Sequence, residues 1–142
     1  MNKTTTATKA KDIIRGWQLV DVKGKILGRV AVEIAHMLMG KKKPYFVRNL
    51  DCGDYVVVVN ASQVAVTGKK VTDKKYHRVS GYPSGLKSES LKDLTARRPE
   101  EVIMHAVRGM LPQNKLKATM LKRLFVFATE NHKYEDKFGK AQ

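Results

Sequence analysis

Asp51-Cys52-Gly53-Asp54-Tyr55-Val56-Val57-Val58-Val59-Asn60-Ala61 is the stretch that decides how this chain folds. Residues 55–59 are apolar at every position, and four of the five are β-branched. A strand with one wet face alternates apolar and polar residues, so a strand apolar on both faces belongs inside a covered parallel sheet. Gly53-Asp54 turns the chain into it, and Asp51 and Asp54 read as turn and capping residues. Parallel neighbours need long crossover connections, usually helical, so helices are expected on either side in sequence.

Upstream, Trp17-Gln18-Leu19-Val20-Asp21 is a short alternating strand. After Gly24, the residues Leu27, Val30, Ala31, Ile34, Ala35 and Leu38 recur at three and four, forming one helical stripe. Gly40 is expected to terminate that helix. Lys41, Lys42 and Lys43 follow, where cations complement the negative end of the helix dipole. Three in a row exceed what a helix end needs, so they are also candidate contacts for a polyanion.

Downstream, Gln63-Val64-Ala65-Val66-Thr67 reads as a second short extended piece. Periodicity disappears over residues 69–87, and an irregular loop is predicted there. Pro99 suits the first position of a helix, and Glu100 and Glu101 favour its positive end. Val102, Ile103, Ala106, Val107 and Met110 are its expected buried face, and Pro112 stops it. A short helix is predicted over residues 115–124, with Leu116, Met120 and Leu121 inward and Lys115, Lys117, Lys122 and Arg123 outward. Phe125-Val126-Phe127-Ala128 is the last expected strand. The whole is one α/β domain over residues 16–128, with helices packed on a small, mostly parallel sheet. A basic arm (1–15) precedes it and a polar tail (129–142) follows.

Charge directs the reading of function. The chain has 28 Lys plus Arg against 13 Asp plus Glu, a net charge of +15 on 142 residues. Solubility is usually met by a net charge of roughly 2–8 on a small domain. An excess of this size calls for a polyanionic partner, and nucleic acid is the commonest. The one cysteine, Cys52, allows no intrachain disulfide and suits a reducing compartment. No apolar run approaches the ~20 residues of a bilayer span, and no basic amphipathic helix stands at either end, so no membrane partner is expected. The first residues lack the apolar core of a secretory signal. Their Thr/Lys-rich, acid-poor character weakly resembles an organellar transit segment and is read as a basic arm.

No catalytic constellation can be assembled. Gly68-Lys69-Lys70 lacks both the earlier glycine and the following Ser or Thr of a phosphate-binding loop. His36, His77, His105 and His132 form no close pair, and one cysteine completes no zinc site. The expectation is no enzyme, no catalytic residue, no metal, no cofactor and no small-molecule substrate. Asn60-Ala61-Ser62 matches the glycosylation pattern by chance.

The chemistry present lies in residues 69–87. Lys69, Lys70, Lys74, Lys75, Arg78 and Lys87 are interleaved with Tyr76, His77 and Tyr82. Cations for phosphates beside rings for bases suit a surface that grips folded RNA. Ser80, Gly81 and Gly85 join them as candidate contacts; Gly81, Gly85 and Pro83 would let backbone approach RNA closely, since glycine has no side chain to hold it off. A solvated charged loop is the alternative, and for Tyr82 the alternative is packing against the domain. Arg48, Arg108, Lys115, Lys117, Lys122 and Arg123 complete the candidate RNA contacts, with Lys41, Lys42 and Lys43. Nothing resembles a DNA-reading helix, so recognition through shape and backbone is expected.

These stretches, taken together, resemble one family. The 51–61 segment, Val64-Ala65-Val66-Thr67-Gly68-Lys69-Lys70, Ser80-Gly81-Tyr82-Pro83-Ser84-Gly85-Leu86-Lys87 and Ala106-Val107-Arg108-Gly109-Met110-Leu111-Pro112-Gln113-Asn114-Lys115-Leu116 closely resemble the bacterial form of the large-subunit ribosomal protein thirteen family. Trp17-x-x-Val20-Asp21 with Leu27-Gly28-Arg29 fits the same pattern, and the resemblance runs over residues 17–132 in order. It implies a three-layer α/β/α single domain on a four-stranded sheet. It also implies a structural protein bound to large-subunit ribosomal RNA and to neighbouring large-subunit proteins, joining the particle early in assembly. Such a protein is not a homo-oligomer, and its place is the cytoplasmic ribosome, with an organellar ribosome as the alternative. Control of messenger RNA outside the ribosome is the alternative function. Three departures stand out: Lys117-Ala118 where the family has Gly-Arg, Thr129 where it has Gly, and a charged ending after His132 in place of its usual tail.

Overall fold

The fold is that of a computed structural model describing residues 7–138. In chain order its elements are β1 (Trp17–Asp21), α1 (Leu27–Met39), β2 (Tyr55–Val59), α2 (Lys70–Asp73), β3 (Lys75–Val79), β4 (Leu86–Ser90), α3 (Leu91–Arg97), α4 (Pro99–Met110), α5 (Leu116–Leu121), β5 (Leu124–Val126) and α6 (Glu135–Phe138). Strand β2 lies between β1 and β5, parallel to both. Val56, Val57 and Val58 are completely buried, as an all-apolar central strand requires.

One face of the sheet carries the helices. Val20, Val56, Val58 and Leu124 join Ile34 and Leu38 of α1, Val102, Ile103 and Val107 of α4, and Met120 of α5 in one core. Helix α1 ends as expected: Gly40 adopts a left-handed conformation (φ 78°), and its N–H donates to His36 and Met37 carbonyls. The opposite face is covered by rings. Trp17 stacks on Tyr55 at 4.6 Å, and Tyr134 packs on Phe125 at 4.5 Å. Phe138 meets Trp17 edge-on. The second helical layer is thus reduced to the single turn of α6 within an aromatic cover supplied by the tail.

Four points of the expected fold are corrected. The four-stranded sheet is three-stranded among the described residues, with one isolated parallel bridge between Ile26 and Ala65. Asn60 is left-handed (φ 62°) and opens a 3₁₀ turn at Ala61–Gln63, so the chain leaves the extended conformation before Ala65 and cannot build a ladder. Residues 69–87 are not irregular, because α2 leads into an antiparallel ribbon, β3–β4, in register from Lys75 opposite Ser90 to Val79 opposite Leu86. Their alternation was hidden because both faces of the ribbon are rich in polar side chains. Helix α3, absent from the sequence reading, buries only Leu91 and Leu94 and is capped by the Ser90 side chain, which accepts the Asp93 N–H. Met110, expected in the core, is 40% exposed at the end of α4.

The termini are held where described. Thr8 donates to the Tyr45 carbonyl, and Lys43 donates to that of Ile14. Residues 1–6 of the arm and 139–142 of the tail lie outside the described residues.

Candidate nucleic-acid interface

The β3–β4 ribbon projects from the domain and sorts its side chains by alternation. Tyr76 and Glu89 form one pair on its inner face, and Arg78 and Lys87 the next. The inner face turns toward α3 and α4, where the Tyr76 ring meets His105 at 5.3 Å. Burial raises the Tyr76 hydroxyl above its ordinary value. Tyr76 is therefore a packing residue that anchors the ribbon, with Lys74 over its ring at 5.3 Å. The outer face carries Lys75, His77, Val79, Leu86 and Ser88, all exposed.

Between the ribbon and the helices runs an open groove of about 970 Å³. Arg78, Lys87, Arg97, Arg98 and Arg108 line it, with two carboxylates, Glu89 and Glu101. Arg97 donates to Glu89 and Arg98 to Glu101, each at 2.7 Å. The hydrogen bond from Arg98 holds the Glu101 carboxyl below its ordinary value, with the positive charge adding to it. Arg78, Lys87 and Arg108 take part in no ion pair among the described residues. Arg78 and Lys87 stand directly opposite each other across the ribbon. Like charges so placed repel, so the ribbon carries a local cost that a bound anion would remove.

The tip is a tight turn. Gly81 and Ser84 are left-handed (φ 82° and 60°). A Cβ on Gly85 would fall 2.0 Å from Ser80 Oγ and 2.8 Å from the Tyr82 carbonyl, so this glycine serves the turn itself. Around Gly81 the space for a side chain is open. Ser80 gives its N–H to the Gly85 carbonyl and closes the loop. Tyr82 stands 79% exposed at the tip and does not pack on the domain. Lys69, Lys70, Lys74 and Lys75 extend the basic surface along the base of the ribbon, all exposed.

The other sequence candidates divide. Lys41, Lys42, Arg48, Lys115 and Lys122 are exposed or half-exposed, and Lys117 donates to Gln113 at 2.7 Å. Lys43 is turned inward, where it pairs with Asp54. Arg123, expected on the outer face of its helix, is buried instead. It grips Asp51 with both terminal nitrogens and also donates to the Leu38 carbonyl. Arg15 approaches the same carboxylate at 3.7 Å. Lys43 and Arg123 thus fasten the loop before β2 rather than offering charge to solvent. Arg97 and Arg98 were missed because α3 was missed. The adjacent arginines before Pro99 were the available signal.

A family model described as ribosomal protein L13 matches residues 15–133. The large ribosomal subunit protein uL13 of Dehalococcoides mccartyi is 50% identical over 135 residues, covering 95% of this chain and 94% of its own length. That of Oleidesulfovibrio alaskensis is 50% identical over 131 residues (92% and 91%). That of Lawsonia intracellularis is 52% identical over 130 residues (92% and 90%).

Proposed function

The chain belongs to the ribosomal protein L13 family, and from that premise we propose that it is a structural, non-catalytic part of the large ribosomal subunit in the cytoplasm that binds the subunit's RNA through the ribbon and its groove. The observation that carries this reading is the facing pair Arg78 and Lys87, unpaired with any carboxylate among the described residues and opening on a groove lined by three further arginines. Phosphates placed there relieve the repulsion and release condensed counterions. The exposed lysines of residues 69–75 continue the same surface, so one protein holds RNA segments that would otherwise repel. That is the property needed of a protein acting early in subunit assembly, beside neighbouring large-subunit proteins.

Crosslinking within intact particles tests it. The tagged chain should sediment with large subunits at moderate salt, and its crosslinks to large-subunit RNA should map to residues 69–87 and 97–108. Association with messenger RNA alone, away from subunits, would instead favour a translational regulator. Crosslinks confined to the aromatic face around Trp17 and Tyr134 would move the interface to the other side of the sheet.

A further inference from the structure

Phosphate binding accounts for the inner face and base of the ribbon but not for its outer tip. Val79 and Leu86 are partners on the last rung of the ladder. They are 68% and 62% exposed, and Tyr82, in the turn that joins them, is 79% exposed. With Ile14, these are the most exposed large apolar side chains of the described residues. Single exposed apolar residues are ordinary on protein surfaces. Three of them on one eight-residue tip, the most solvated part of the ribbon, form a surface whose solvation is unfavourable unless something covers it.

The surroundings say what that is. Arg78 and Lys87 form the adjacent rung, His77 and Lys75 lie further down the same outer face, and Lys69, Lys70 and Lys74 stand at the base. A purely apolar protein surface would bring these cations together with nothing to neutralise them. RNA supplies flat apolar base faces and the neutralising charge on one chain. Within an A-form helix those faces are already stacked, whereas an unpaired base in a loop or bulge can be splayed out to present one. We propose that Val79, Leu86 and Tyr82 form a docking surface for an unpaired RNA base, with phosphates bound along the sides of the ribbon and a splayed base held at its tip. This rests on the RNA-binding reading above and adds the class of RNA structure recognised.

The test uses the full chain, a transcript of large-subunit ribosomal RNA, and equilibrium binding over a series of salt concentrations. Three variants are compared: Val79→Thr with Leu86→Thr, which places β-branched side chains suited to a strand at both positions; Tyr82→Ala; and Lys69, Lys70, Lys74 and Lys75 all changed to Ala. The first two should each weaken binding roughly tenfold, the effect of removing one stacked base, with unchanged salt slope and melting temperature. Unchanged affinity in both overturns the proposal. If such variants nevertheless fail to enter large subunits, the tip's occupant is a neighbouring protein. A fall in melting temperature matching the loss of affinity also overturns it, because the tip would then be packing residues. Failure of the underlying reading looks different: the lysine variant, too, would bind as the wild type does, or the wild type would not bind RNA at all.

Discussion

Arg123 and Asp51 set the geometry of the loop that feeds the central strand. Removing one partner of a buried ion pair leaves the other charge uncompensated, so Arg123→Met should destabilise the fold by about 3–5 kcal/mol, read as a drop in melting temperature. Burial alone would raise the Asp51 carboxyl, but the hydrogen bond and charge of Arg123, with Arg15 behind it, outweigh burial and hold it below its ordinary 3.8. A carboxyl lowered in the folded state contributes stability above its unfolded value and loses it as pH falls through the folded one. Asp51→Asn should therefore be less stable than the wild type at neutral pH, and the gap should narrow below pH 3.8. A gap that stays constant in denaturant titrations down to low pH would refute this role for the charge. Gly53 is equally constrained, because a Cβ there would lie 1.7 Å from the Leu38 carbonyl oxygen. Since the obstacle is backbone, Gly53→Ala should cost at least the upper end of the ~1–3 kcal/mol typical of overpacking. Little of this was legible beforehand. Asp51 was readable as a turn residue, but its partner lies 72 positions away. Nothing in a local pattern distinguishes a buried Arg123 from the solvated Lys122 beside it.

At the level of elements, legibility follows apolar contrast. Strand β2, helix α1 and helix α4 announce themselves because burial on one or both faces writes a period into the sequence. Val57 and Val58 face opposite sides of the sheet and are both fully buried. Val57→Asp and Val58→Asp should each cost more than ~3 kcal/mol, since an unpaired charge has no partner on either side. Normal stability in either would mean that one face of the sheet is wet. The β3–β4 ribbon lacks that contrast. Its anchor to the core is the single half-buried ring of Tyr76, and its register is written in backbone hydrogen bonds rather than in hydrophobic pattern. A two-stranded ribbon is marginal alone, and regions with few buried apolar contacts open most readily. Hydrogen exchange on the free protein should show weak protection over residues 79–86 and strong protection over Tyr55–Val59. Comparable protection in both would mean that the ribbon is held by more than Tyr76. Helix α3 escaped for the same reason, since two buried leucines in seven residues make no stripe.

For the whole molecule, a net charge of +15 is spread over a scaffold whose ion pairs are few among the described residues. The composition made a polyanionic partner legible before any fold was known. It did not show that part of this charge is internal, as with Lys43 and Arg123, or that Arg97 and Arg98 complete the groove. Some of what remains is exposed elsewhere, as with Lys41, Lys42, Arg48, Lys115 and Lys122, and one continuous part of it runs along α2, the ribbon and the edge of α3 and α4. The central claim is that this surface holds RNA through its phosphates. The most direct test is the dependence of affinity for large-subunit ribosomal RNA on salt, comparing the wild type with the chain in which Lys69, Lys70, Lys74 and Lys75 are all Ala. Log affinity should fall linearly with log salt, by about 0.7–0.9 per phosphate bound. The variant should keep its melting temperature and show a slope shallower by roughly that amount for each phosphate it no longer holds. An equal slope in the two proteins would contradict the account.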